Sequence, residues 1–238
     1  MNASRMTATI VGVLFILATV LNVVGTSSSR PILDAQDYLI NVSTNEGQVM
    51  MGAVLELIAA FAVAGIVIGL YPILKTHHEA LALGSVIFRI IEAAFYCVAV
   101  VGLLSLLTLS QEYVKAGTPD VSSFQASGTL LLAMRKWAAG VGVVAFTLGG
   151  LMYYYVFYRS KLIPRWLSLW GLIAIVLLMV AVLIATLGGE PFAISGGLVL
   201  LALPLALQEM VMAIWLIVKG FNPSAIVSGP AKTDLNEA

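Results

Sequence analysis

The sequence predicts an all-α, polytopic integral membrane bundle of six transmembrane helices with both termini cytoplasmic, and three observations carry that expectation. Hydrophobic residues make up 61% of the chain against 10% charged, with a mean hydropathy of +1.03. A soluble domain of this size would expose more apolar surface than water tolerates. Apolar stretches recur at a length of roughly 20 residues, which as helix matches the hydrocarbon core of a bilayer. Lysine and arginine gather in alternate connections. Arg5, Lys75, Arg159, Lys161, Arg165, Lys219 and Lys232 fall on one side and only Arg30 and Lys115 on the other, and the positive-inside rule makes the first side cytoplasmic.

The first span lies near residues 6–24, behind Arg5 and ahead of Gly25, Thr26, Ser27, Ser28 and Ser29. Its apolar core exceeds the ~7–15 residues of a secretory signal, so it reads as a retained helix. The second lies near 49–71. Ser43-Thr44-Asn45-Glu46 before it matches a capping box, and the preceding segment 34–40 reads as a short helix on the membrane surface. A short connection makes the second span and the third, near 81–109, antiparallel neighbours. Gly117-Thr118-Pro119-Asp120 then ends one helix and starts another, so the fourth, near 130–158, projects beyond the bilayer. Another short connection joins it to the fifth, near 167–187. In the sixth, near 197–218, Pro204 removes a backbone donor about one turn before Gln208 and Glu209, which predicts a bend opening a hydrated pocket. Residues 1–221 thus form one transmembrane domain. Residues 222–238, with Pro223, Ser228, Gly229 and Pro230 followed by mixed charges, read as a disordered cytoplasmic tail.

Composition also excludes function classes. A formal net charge of zero argues against a nucleic-acid binder. The single cysteine, Cys97, permits no intramolecular disulfide. His77 and His78 are adjacent in a short connection and lack the i, i+4 spacing of a helical zinc pair. HExxH, GxSxG and phosphate-cradling glycine motifs are absent from the sequence, so no metal, no cofactor and no enzymatic activity are expected. The rings of Tyr153, Tyr154, Tyr155, Phe157 and Tyr158, with Trp166 and Trp170, read as an interfacial belt.

The polar residues inside the spans are the candidate site. A charge at bilayer depth costs at least ~2.5 kcal/mol, so each needs a partner or water inside the bundle. Counting ~1.5 Å per residue from the cytoplasmic boundary places Arg89 and Glu209 both at ~15 Å, Glu92 at ~20 Å, Glu56 at ~28 Å, and Arg135 with Lys136 at ~35 Å, where they snorkel to the outer headgroups. Glu56 shares a face with Gly52, Ala53, Ala59, Ala60 and Ala64, the small-residue surface of a helix contact, and Gly65 with Gly69 extends it as a within-bundle contact. Glu56 stands unpaired unless Arg135 or Lys136 turns inward. The expected site is Glu56, Arg89, Glu92, Gln208 and Glu209, supported by Ser85, Tyr96 and Asn22. In one reading Arg89 is a structural clamp bridging Glu92 and Glu209, with Gln208, Tyr96 and Ser85 completing its hydrogen bonds. In the other, one arginine facing two carboxyls leaves one of them free to carry a proton, as proton-linked transport requires.

Four stretches carry a family resemblance: Arg5 before the first span, the run from Leu81-Ala82-Leu83 to Phe88-Arg89-Ile90-Ile91-Glu92-Ala93, the junction Tyr158-Arg159-Ser160-Lys161-Leu162-Ile163-Pro164-Arg165-Trp166, and the ending from Glu209 through Trp215-Leu216-Ile217-Val218-Lys219-Gly220. Together they resemble the bacterial membrane family catalogued as domain of unknown function 4386 (DUF4386). The resemblance implies a six-helix bundle in the bacterial inner membrane and brings no activity, substrate or catalytic residue. The functional expectation therefore rests on the buried charges: small-molecule or proton-linked transport, or ligand binding, in a lipid bilayer. The alternative is a non-catalytic scaffold whose buried charges are structural and whose long outer loops meet a partner.

Overall fold

A computed structural model describes residues 3–117, 121–189 and 199–227. Among these the chain is all α-helix, in the order α1 (Ala3–Leu33), α2 (Tyr38–Thr44), α3 (Glu46–Leu74), α4 (Glu79–Ala116), α5 (Val121–Ser160), α6 (Arg165–Leu187), α7 (Val199–Val218) and α8 (Pro223–Val227). The six helices other than α2 and α8 are long and apolar enough to cross a membrane. Their outward surfaces are apolar: Ile10, Ile68, Ile87, Ile173, Leu183 and Ile214 are exposed, whereas Glu56, Arg89, Glu92, Gln208 and Glu209 are buried. Apolar outside and charged inside is the inverse of a soluble protein, and it suits a chain whose solvent is lipid.

Helices α1, α4 and α5 run 31, 38 and 40 residues, well past the ~20 needed to span. The two long connections expected at 26–48 and 110–129 are therefore mostly helix. Hydropathy marks where lipid ends, whereas the helix continues until a residue breaks it, as Gly117 does at φ 54°. A short helix sits a few residues later than the one expected at 34–40, at α2, and packs on α4 with Leu39 and Val42 buried. The capping box before α3 does not form, because α2 runs through Ser43. Thr44 Oγ1 and Asn45 Nδ2 instead donate back to the carbonyls of Ile40 and Asn41, at 2.9 and 2.8 Å. His78 has a role the sequence did not suggest: its Nδ1 accepts the Leu81 N–H at 3.3 Å and caps α4.

Each long helix packs on its neighbours in sequence, α1 on α3, α3 on α4, α4 on α5, α5 on α6 and α6 on α7, and α1 packs on α7 to close the ring. Small residues set the close approaches. Gly25 and Gly52 face each other at the α1–α3 crossing, where a Cβ on Gly52 would lie 3.0 Å from the Gly25 carbonyl. Gly65 and Gly69 pack against Leu14 and Val11 of α1, the within-bundle contact their spacing suggested. At the end carrying both termini, Arg5 donates to the carbonyls of Leu216, Ile217 and Val218 at 3.3, 2.7 and 2.9 Å, satisfying acceptors that the end of α7 leaves open.

Residues 222–227, expected to be disordered, are ordered. The Asn222 backbone N–H donates to the Leu162 carbonyl at 2.9 Å, its Oδ1 accepts from the Ser224 hydroxyl at 2.7 Å, and Phe221 and Ala225 are buried. Asn222 followed by Pro223 is a helix-start signal that overall composition conceals. Residues 228–238 lie outside the described residues.

Candidate functional site

The core parts into two apolar clusters. One, toward the termini, reaches Ala18 on α1, Ala62 on α3 and Ala93 on α4; the other, toward the opposite end, begins at Ala53 on α3 and Val100 on α4 and includes Ile32 of α1. Between them these helices carry Asn22, Thr26, Glu56 and Tyr96, with Arg89 and Glu92 at the margin. The polar residues thus occupy one layer of the bundle.

Two cavities open in that layer. The inner chamber, of ≈ 140 Å³, is lined by residues including Phe15, Thr19, Arg89, Glu92, Phe146 and Glu209. It matches the ~150 Å³ engineered cavity that takes up benzene. The outer vestibule, of ≈ 420 Å³, is lined by residues including Glu56, Arg135, Arg30, Asp34 and Lys136, the last three of which are exposed. Asn22 and Tyr96 line both cavities. They mark the boundary where vestibule meets chamber.

Arg89 is placed by the α4–α5 contact. Arg89 and Tyr96 lie two turns apart on α4, and they meet Gly149 and Gly142, two turns apart on the antiparallel α5. A Cβ on Gly149 would lie 3.0 Å from the Arg89 Cγ, and one on Gly142 would lie 2.6 Å from the Tyr96 ring. The glycines therefore provide the room for both large polar side chains. The Arg89 guanidinium lies over the Phe146 ring at 4.7 Å and pairs with Glu92 at 2.9 Å, both side chains being 3% exposed. Its Nε and Nη1, and Glu92 Oε2, nonetheless lack a hydrogen bond of good geometry to the described residues.

The expected clamp from Arg89 to Glu209 is absent among the described ion pairs. Glu209 faces the same chamber but accepts from Thr19 Oγ1, at 3.4 Å. Gln208 does not serve Arg89 either: it accepts from the Tyr154 hydroxyl and donates to the Leu167 carbonyl at 3.1 Å. Consecutive helix positions point ~100° apart, so Glu209 toward the chamber puts Gln208 into the α5–α6 contact. Ser85, though on the Arg89 face, donates to its own helix at Ala82 O, 2.7 Å away. Tyr96 and Asn22 do lie where the site needs them. Pro204 sits within α7 and is not among the residues that line the chamber, which Glu209 borders.

Arg135 is the residue misplaced by counting depth along the chain. Opposite Ala99 of α4, it donates to that residue's carbonyl at 3.0 Å and grips both oxygens of Glu56, at 2.7 and 2.9 Å. The inward turn that would pair Glu56 has occurred; Lys136 stays at the surface. The expected aromatic belt is interior only in part. Tyr153, Tyr154 and Phe157 are fully buried, with the two tyrosine rings 4.5 Å apart, while Tyr155 is exposed. Helical period splits a run of five aromatics between core and surface.

The sequence model described as Domain of unknown function (DUF4386) matches residues 10–220. The chain belongs to this family. No curated protein and no solved structure matches it. Each stretch that carries the DUF4386 resemblance has a physical task here: Arg5 closes the end of α7, Arg89 and Glu92 line the chamber, and the 158–166 and 209–220 stretches meet at the terminal end of the bundle.

Proposed function

We propose that this DUF4386 protein is a non-enzymatic, multi-pass protein of the bacterial inner membrane that binds a small polar molecule, or a proton together with one, in the chamber between α1, α3, α4, α5 and α7. With both termini cytoplasmic, the vestibule faces outward, and Glu56 with Arg135 stands beside the route past Asn22 and Tyr96. One observation carries the reading. The vestibule and chamber share two lining residues, and the chamber ends at a buried guanidinium that is ion-paired with Glu92 through Nη1 while its Nε has no hydrogen bond to the described residues. Buried polar groups are normally satisfied, and those that are not mark places where an occupant is recognised.

The test is native mass spectrometry of protein extracted from its own membranes into nanodiscs, searching for a retained small molecule, together with pH jumps on proteoliposomes loaded with pyranine. Glu92→Gln and Glu209→Gln are expected to keep the fold and to lose the retained mass or the dye response. If wild type retains nothing and moves no protons, while both variants unfold, the charges are structural and the scaffold reading holds.

A further inference from the structure

At the end carrying the termini, the α5–α6 turn and the α7–α8 turn together line a second depression, of ≈ 550 Å³. Its lining includes three cations, Lys161, Arg165 and Lys219, alongside Trp215, and no acidic residue. None of the three is in an ion pair among the described residues; Arg165 instead lies over the Tyr158 ring at 5.6 Å. Three unneutralised charges around one hollow repel each other, and an anion relieves that repulsion.

The backbone holds them there. Asn222 fastens the two turns together, through its N–H to Leu162 O at 2.9 Å and its Nδ2 to Lys161 O at 3.3 Å. Lys161 has φ 58°, the one positive value at a non-glycine position among the described residues. Glycine adopts that conformation without steric cost and lysine does not, so the position carries its ammonium against the preference of the backbone. Strain of this kind gathers at functional sites. The α6 N-terminus, opening at Arg165, adds the positive end of a helix dipole.

Depth identifies the anion. Lys161 directly follows α5, Lys219 directly follows α7 and Arg165 opens α6, so the three lie at headgroup level. Exposed Val218 and the stacked rings of Trp166 and Trp170, 6.4 Å apart, present apolar surface beside them. We propose that this depression binds the phosphodiester headgroup of an anionic phospholipid from the adjoining leaflet, with Lys161, Arg165 and Lys219 on its oxygens and Trp215 against its glycerol and upper acyl chain. The site is separate from the central chamber. It is built from residues 161–165 and 215–220 of two stretches that carry the family resemblance, none of which lines the chamber.

The experiment takes full-length protein in dodecyl maltoside, titrates it with short-chain phosphatidylglycerol, short-chain phosphatidylcholine or inorganic phosphate, and counts bound lipid by native mass spectrometry. Phosphatidylglycerol is expected to bind at one saturable site. Affinity should fall about fivefold for each cation removed and about a hundredfold for all three. Lys161→Gly separates binding from folding, since it suits the backbone while removing the charge: affinity falls and thermal stability holds. Lys75→Gln, at the same end but outside the hollow, should leave affinity unchanged. Equal binding of phosphatidylcholine, or an equal loss with Lys75→Gln, overturns the proposal by making the attraction non-specific. Inorganic phosphate binding as tightly as the lipid overturns it in favour of a soluble ligand.

Discussion

Replacing Arg135 by glutamine strands the Glu56 carboxylate inside the bundle, and the size of the effect follows from where the pair sits. The side chains are 13% and 8% exposed and joined by two hydrogen bonds. Removing one partner of a buried pair costs about 3–5 kcal/mol, because the remaining charge is left uncompensated. Both residues line the vestibule, whose exposed members admit water, so the lower end applies, about 3 kcal/mol. For a domain of this length that is a fall in Tm of about 6–12 °C. Lys136→Gln, one residue along and exposed, should stay within about 0.5 kcal/mol. The double variant Glu56→Gln/Arg135→Gln should recover about 2 kcal/mol of the single loss, since no charge is then stranded. Unfolding by dodecyl sulfate in mixed micelles, followed by tryptophan fluorescence, measures all four proteins on one scale. If Arg135→Gln costs no more than Lys136→Gln, Arg135 resides among the outer headgroups, as depth counted along the chain expects, and the paired wall of the vestibule fails with it.

Asn22→Cys in a Cys97→Ser background should react with a membrane-impermeant maleimide added to spheroplasts, and Thr19→Cys more slowly; labelling of Asn22→Cys from the cytoplasmic face alone would reverse the proposed orientation. Gly142→Ala would place a methyl 2.6 Å from the Tyr96 ring, an overpacking worth about 1–3 kcal/mol in the dodecyl sulfate titration, and a second change, Tyr96→Ala, should recover most of it. Arg5→Gln removes three charge-assisted bonds to the end of α7; partial exposure limits the loss to about 1–2 kcal/mol by the same titration. Burial of His77, in the connection between α3 and α4, holds its pKa below the ordinary 6.5. The unfolded chain then binds more protons than the folded one below that value, so stability falls as pH drops through 6.5 toward the folded pKa, and His77→Gln should flatten this dependence in pH-scanned thermal unfolding.

Much of the fold was legible because a bilayer imposes a single length on every apolar run and allows few ways to satisfy the backbone. What hydropathy left unread were the helix ends. The stretches around Ser29 and Ser110 are polar by composition yet helical, Pro31 being accommodated in the last turn of α1, and Ser110 even donates its hydroxyl to the Leu39 carbonyl of α2. Within the site, Arg89, Glu92, Tyr96 and Asn22 followed from helical phase on single helices. Arg135 and Gln208 did not. Their environments depend on the register between helices, which Gly142 and Gly149 set against Tyr96 and Arg89, and a glycine in an apolar span does not declare which neighbour it admits. Glu56 did carry the signal in part: a carboxylate among small residues demands a cation, and the chain offers few.

The balance between a clamp and a site turns on hydrogen-bond capacity rather than charge. A purely structural arginine in a bundle is best served by saturation, since each unused donor in a low-dielectric interior is costly. Arg135 approaches that limit, with both oxygens of Glu56 and the Ala99 carbonyl around it. Arg89, more deeply buried, has a single carboxylate beside its Nη1, an aromatic face below it, and an Nε without a hydrogen bond to the described residues. A second carboxylate, Glu209, borders the same chamber yet is held by Thr19 instead of closing on the guanidinium. Two arginines in one bundle thus meet opposite treatment. The fold spends its pairing on the one that lines the approach, and leaves a donor open on the one that lines the end.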